Sequence, residues 1–126
     1  MAKISRQTRQ KEMIAKSLEK FKGFFTAEEL HNSVNKIDPS IGIATVYRFL
    51  RNFVTNRQIH SYTCNRRTIY SIRDNSHCHF ICEKCGKVEH IQINSLDFIK
   101  NQIDGTICHF QIDITGLCSK CSKKEK

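Results

Sequence analysis

Two Cys-x-x-Cys pairs, Cys82/Cys85 and Cys118/Cys121, constrain the fold of this chain more than any other feature of it. Each pair offers two thiolates at a spacing that matches one edge of a tetrahedron, and a structural zinc ion takes four such ligands. Closing both pairs on one ion ties together residues far apart in sequence, so the segment between them is expected to fold as one small lobe. The gap exceeds that of a compact zinc ribbon, which makes the ion a staple for the two ends of the lobe. The remaining readings are a thioredoxin-like redox pair or unliganded cysteines, but no strand, Cys-x-x-Cys, helix order surrounds either pair. The N-terminus "MAKISRQTRQKEM" lacks the apolar stretch of a signal peptide, and no apolar run is long enough to span a bilayer. A cytoplasmic protein without membrane contact is expected, and in that reducing compartment seven cysteines are not a disulfide framework.

The charge is divided unevenly. Residues 1 to 73 carry 14 Lys/Arg against 5 Asp/Glu, a balance of +9, whereas residues 74 to 126 carry 7 of each and sum to zero. A basic part joined to a neutral, Cys/His-rich part points to a polyanion-binding module, with nucleic acid the first candidate. A solubilising face is the plainer alternative.

The basic part reads as three helices and a hairpin. Met13, Ile14, Leu18 and Phe21 share a helical face over 9–21, ahead of a break at Gly23. Thr26 and Glu29 form a capping box for a second helix with Leu30, Val34 and Ile37 as its stripe. After "KIDPSIG", a third helix over 43–54 sets Ile43, Val46, Leu50, Phe53 and Val54 on one side. Thr45, Tyr47, Arg48 and Arg51 are then free to enter a major groove. "RQIHSYT" and "TIYSIR" flank "CNRR" as strand, turn and strand, so that Arg66 and Arg67 could meet phosphate from the turn. This is a winged helix-turn-helix, expected over residues 1–74, and an ordinary solvated helix face is its bland counterpart.

Residues 75–126 read as a small α/β lobe, which makes the whole chain α+β. "CHFIC" and "KVEHIQI" suit strands around Cys82 and Cys85, with Gly86 allowing the tight turn. Asn94 is the expected N-cap of a short helix ended by Gly105, and "CHFQIDITG" is a last strand with Phe110, Ile112 and Ile114 inward. His77 and His79 point to one face of a strand while Cys78 points away, so the His-x-His pair can share an ion that His90 and, from the wing, His60 could join. A hydrogen-bonded core histidine is the competing reading for each ring.

"IGIATVYRFLRNF" (41–53), "HCHFICEKCGKV" (77–88) and "GLCSKC" (116–121), in this order and spacing, resemble the ferric-uptake-regulator family of metal-responsive bacterial repressors. The resemblance runs over nearly the whole chain. It implies an N-terminal winged helix-turn-helix, a C-terminal α/β dimerisation lobe, a structural Zn²⁺ on Cys82, Cys85, Cys118 and Cys121, and a regulatory divalent metal between the lobes. It also implies that Tyr47 and Arg48 touch a double-stranded operator and that Arg6 lies near a minor groove. The expected function is a homodimeric repressor that binds a palindromic operator when its regulatory site is filled, controlling metal uptake or homeostasis.

The subtype turns on departures from the family pattern. Phe24 stands where many iron or peroxide sensors carry a histidine, His90 where they carry a carboxylate, and Ser71 where another is often found. What remains, His60, His77, His79 and His90, suits Zn²⁺, Ni²⁺ or Cu²⁺ better than an oxygen-rich Mn²⁺ site. A zinc-uptake type is the first reading, an iron type the second and a peroxide sensor the third, so Zn²⁺ is the expected regulatory ion ahead of Fe²⁺ or Mn²⁺. The family's further peripheral site is poorly matched, since its C-terminal histidine falls at Phe110 with His109 one residue off, and one residue on a strand reverses the face. An enzyme is not expected: no His-x-Glu with Pro-Cys-x-x-Cys of a zinc deaminase is present, and only Glu89 is near enough in sequence to act as a base. A zinc-stapled nucleic-acid-binding or adaptor protein without metal sensing is the other alternative.

Overall fold

Ser5 and Thr26 set where the first two helices begin. In the computed structural model, which describes residues 5–73 and 76–124, the Ser5 side chain accepts from the Thr8 amide and opens α1, Arg6–Leu18. The helix therefore starts three residues before the apolar face that announces it. Thr26 and Glu29 form the expected capping box, with Thr26 Oγ1 accepting from Glu29 N at 3.1 Å, and α2 runs Ala27–Asn35. Because α2 stops at Asn35, Ile37 falls beyond its stripe and is 54% exposed. The third helix, α3, spans Ile43–Thr55 and buries Val46, Phe49, Leu50 and Phe53. Phe49 is an inward residue that the sequence pattern leaves out, and Ile43 is an outward one that it counts in.

The chain divides into two compact units, Met1–Asp74 and Asn75–Lys126. In the first, α1, α2 and α3 close on a core of Ile14, Leu18, Leu30, Val34, Val46, Phe49, Leu50 and Phe53, extended by Phe25, Ile59 and Tyr70. Strands β1 (His60–Cys64) and β2 (Arg67–Ser71) pair antiparallel as the wing, and Phe25 and Tyr70 exchange backbone hydrogen bonds at 2.9 and 2.8 Å. This is a winged helix-turn-helix. The hairpin turns on two residues, Asn65 (φ 51°) and Arg66 (φ 65°), both left-handed as a type I′ turn requires.

Holding a residue with a Cβ in that conformation costs roughly 1–2 kcal/mol. Glycine's greater freedom in the unfolded chain gives back about half of it. Arg66→Gly is therefore expected to stabilise the first unit by roughly 0.5–1 kcal/mol, read as a higher urea midpoint. An unchanged or lower midpoint would contradict the turn.

The second unit is a three-stranded sheet in the order β4-β3-β5, formed by β3 (His77–Cys82), β4 (Val88–Ile91) and β5 (Gln111–Gly116). Strand β4 is antiparallel to β3, and β5 runs parallel to it after a crossover that contains α4, Asp97–Lys100. Asn94 does not cap α4: Leu96 precedes it without a side-chain bond, and Ser95 Oγ takes the Asp97 amide at 3.2 Å. A one-turn helix gains too little to hold a distant cap against this local turn. Ile112 is half-buried, but Ile114 is 44% exposed and does not point into a core. A last helix, α5, covers Ser119–Lys124. Among the described residues, no helix of the chain is long and apolar enough to cross a membrane.

The buried residues described in the second unit are His77, Cys78, His79, Cys82 and Cys121. No aliphatic or aromatic side chain joins them. Phe80, Ile81, Ile91, Phe110, Ile112 and Leu117 are only half-buried, so a lobe of this size gains from a cross-link.

Candidate metal centres and nucleic-acid face

The parallel pairing of β3 and β5 carries both Cys-x-x-Cys pairs to one end of the sheet. Cys82, the last residue of β3, stands opposite Gly116, the last of β5, and the Glu83 amide bonds to the Gly116 carbonyl at 2.8 Å. Gly86, at φ 78°, closes the first knuckle, and its amide returns to the Cys82 carbonyl at 3.0 Å. The Cys85 amide also reaches Cys82 Sγ at 3.5 Å.

The four sulfurs of Cys82, Cys85, Cys118 and Cys121 lie within 4.8 Å of one another, with Cys85 and Cys118 at 3.8 Å. A zinc–sulfur bond of about 2.3 Å gives a tetrahedral edge of about 3.8 Å, so this set fits Zn²⁺. The protons agree with that fit. Amide donors from Cys85 and Cys118 pull the Cys82 thiol down to about 6, while Cys121, bonded to Cys118 and buried, is pushed up to about 12. One thiolate forms readily, but the last proton stays unless a cation offsets the gathered charge.

Three histidines come together on one face of the same sheet. His79 stands opposite His90 across β3 and β4, and His77 lies two residues along β3 on the same side. Their ring centroids are 4.4 Å (His77–His79), 5.3 Å (His77–His90) and 4.8 Å (His79–His90) apart. Burial first, then the neighbouring His79 and His90, holds the His77 imidazolium below its ordinary range, so His77 is a neutral donor through more of the acid range. Cys78 belongs to the opposite face, opposite Ile91 and Ile112. His60 is the first residue of β1 in the first unit, in register with Ser71.

Register also brings in a residue that the sequence does not flag. Asp113 on β5 pairs with His79 across the parallel ladder, and its Oδ1 lies 2.9 Å from His79 Nδ1, within hydrogen-bond distance. The other ring nitrogen, Nε2, is buried and has no hydrogen-bond partner. A lone pair in that state suits a cation.

On the first unit, Tyr47, Arg48 and Arg51 are exposed along α3, Thr45 is half-buried, and Arg66 and Arg67 are exposed at the wing tip. Arg6 lines one hollow with Gln7, Gln10, Thr45 and Arg48, which places the start of α1 beside the start of α3. The Arg48 guanidinium carbon lies 5.3 Å from the centre of the Phe49 ring. Tyr47 Oη donates to Glu28 Oε1 at 3.0 Å, a contact across 19 positions that no local pattern announces. Its own backbone amide at the start of α2, and then Tyr47, lower the Glu28 carboxyl, and the same bond raises the Tyr47 phenol.

Residues 3–114 match the ferric uptake regulator family model. The chain belongs to this family. Among its relatives, the peroxide-responsive repressor of Staphylococcus aureus USA300 is 28% identical over 104 residues, 79% of this chain and 70% of that protein. The ferric uptake regulator of Helicobacter pylori shares the fold with a TM-score of 0.61 at 22% identity, over 92% of this chain and 84% of that one. A zinc uptake regulator of Mycobacterium tuberculosis does so with a TM-score of 0.52 at 26% identity, over 92% and 95%. Proteins named for ferric uptake, for peroxide response and for zinc uptake are thus all similar to this chain.

Proposed function

We propose that the chain is a homodimeric, metal-dependent repressor whose α3 reads a palindromic operator when the three-histidine site is filled. The observation that carries this reading is the buried, unpartnered Nε2 of His79 within a cluster of three imidazoles, in a chain that also bears a basic winged helix. Cys82, Cys85, Cys118 and Cys121 are the structural zinc ligands, and His77, His79 and His90 belong to the regulatory set. His60, the first residue of β1, is its fourth member, as both the sequence pattern and the family resemblance suggest. A divalent ion there supplies positive charge and fixed ligand geometry; the chain supplies the donors and the DNA-reading face. The role is regulatory and not catalytic.

Arg6, Thr45, Tyr47, Arg48, Arg51, Arg66 and Arg67 are the proposed DNA contacts. A dimer would place two α3 helices in successive major grooves about 34 Å apart. Arg48→Ala is expected to weaken operator binding by about 1–3 kcal/mol, whereas Arg66→Ala, a phosphate contact, should weaken all DNA alike and flatten the salt dependence. Fluorescence anisotropy on operator and scrambled duplexes separates the two, and equal losses on both duplexes for Arg48→Ala would remove it from base reading.

Zinc is the favoured regulatory ion because imidazoles suit it and no carboxylate replaces His90. The test is to select an operator with the metal-loaded chain, then add Zn²⁺, Fe²⁺ and Mn²⁺ back singly to protein retaining its structural zinc. A response to Zn²⁺ supports the reading; a response to Fe²⁺ alone overturns the subtype. The peroxide alternative has the S. aureus relative in its favour, and loss of binding on peroxide treatment of an Fe²⁺-loaded chain would establish it.

A further inference from the structure

Asp113 has no place in the ligand set above, and the chain pattern around it reads simply as a strand residue. Three observations give it a role. It sits in register with His79 on the strand opposite the one that carries His90, so His79 is flanked by a carboxylate on one side and an imidazole on the other. Its Oδ1 holds His79 Nδ1 at 2.9 Å, although the Asp113 side chain is itself 48% exposed and could turn to water. The far nitrogen of the same ring is buried with no partner.

A neutral imidazole has one N–H, and a carboxylate accepting at Nδ1 fixes that proton there. Nε2 is left as a bare lone pair. A carboxylate behind a ligating histidine also raises the basicity of the ring toward a metal.

We propose that Asp113 is the positioning residue of the three-histidine site, fixing His79 as the Nδ1–H tautomer so that Nε2 is presented to a divalent cation. This rests on the metal-site reading above and adds a residue to it. Asp113 acts through His79 and is not itself a ligand. It leaves the site an all-imidazole face, the donor type that favours zinc-like ions over manganese.

The test uses the full chain with its structural zinc retained, and Zn²⁺ as the probe. Nitrogen-15 NMR of the imidazoles before the second Zn²⁺ is added reads the tautomer, and competition with a chromophoric chelator reads the affinity. Wild type is expected to hold the His79 proton on Nδ1. Asp113→Asn, which keeps an acceptor oxygen but not the charge, is expected to bind the second Zn²⁺ about 10-fold more weakly, and Asp113→Leu about 100-fold more weakly. In Asp113→Leu the His79 proton should divide between the nitrogens. A strand residue with only a structural role would change neither the tautomer nor the ordering of the two variants. A wild-type His79 protonated on Nε2, or both variants binding within two-fold of wild type, overturns the role of Asp113 and leaves the metal site standing. A wild-type chain that takes up no second Zn²⁺ overturns the site reading and this proposal together.

Discussion

Removing zinc from the folded chain is expected to unfold the second unit and leave the first intact. The first unit has a packed interior from Ile14 to Tyr70, whereas the described buried residues of the second are thiols and imidazoles. Structural zinc in small modules is worth on the order of 10–16 kcal/mol of apparent free energy, against a total stability of about 5–15 kcal/mol for an ordinary domain. A lobe whose described apolar side chains are at most half-buried has little reserve to offset that loss. On chelation, NMR amide signals from β3, β4 and β5 should collapse toward random-coil positions while those of α1, α2 and α3 stay dispersed. Cys82→Ser and Cys118→Ser should do the same without a chelator and should purify with the zinc content of the staple lost. Retention of full zinc by either variant would refute the four-thiolate assignment.

The second large effect concerns His77 and His79. Filling a regulatory site is expected to raise operator affinity by about 5–150-fold, the range of a 1–3 kcal/mol coupling. The His77→Ala/His79→Ala chain should keep its staple zinc, fold and bind DNA weakly with the same affinity whether metal is added or not. Its residual binding should be salt-sensitive and indifferent to sequence, as expected of the basic winged helix alone. A double variant that still responds to metal would place the sensor elsewhere.

What the sequence could and could not reveal follows from how local each feature is. The capping box of Thr26 and Glu29 needs only four neighbouring residues, and it forms as expected. The Cys-x-x-Cys knuckles and the His77/His79 pair are likewise local, and their chemistry narrows the partner to a metal before any fold is known. Asp113 is different. Nothing near it in sequence marks it, because its meaning comes from a parallel register with β3 across 34 positions, and register between distant strands is set by the assembled sheet. The Glu28–Tyr47 bond is hidden for the same reason. The spacing leaves out Phe49 because α3 buries a wider stripe than it suggests, and it puts Arg66 in the wing turn without its left-handed backbone, which glycine ordinarily announces. The helix expected from Asn94 shrank to the single turn of α4, since local turn bonding outweighs a cap on so short a segment.

If the imidazole site governs DNA binding, filling it must change operator affinity. A single preparation holding one zinc per chain is titrated onto its operator, first with the second site empty and then with it filled by Zn²⁺, at constant salt. A gain in operator affinity of at least about 5-fold is expected, appearing at one added equivalent of metal and absent on scrambled DNA. Equal affinity in both states, with the second metal shown to be bound, would contradict it.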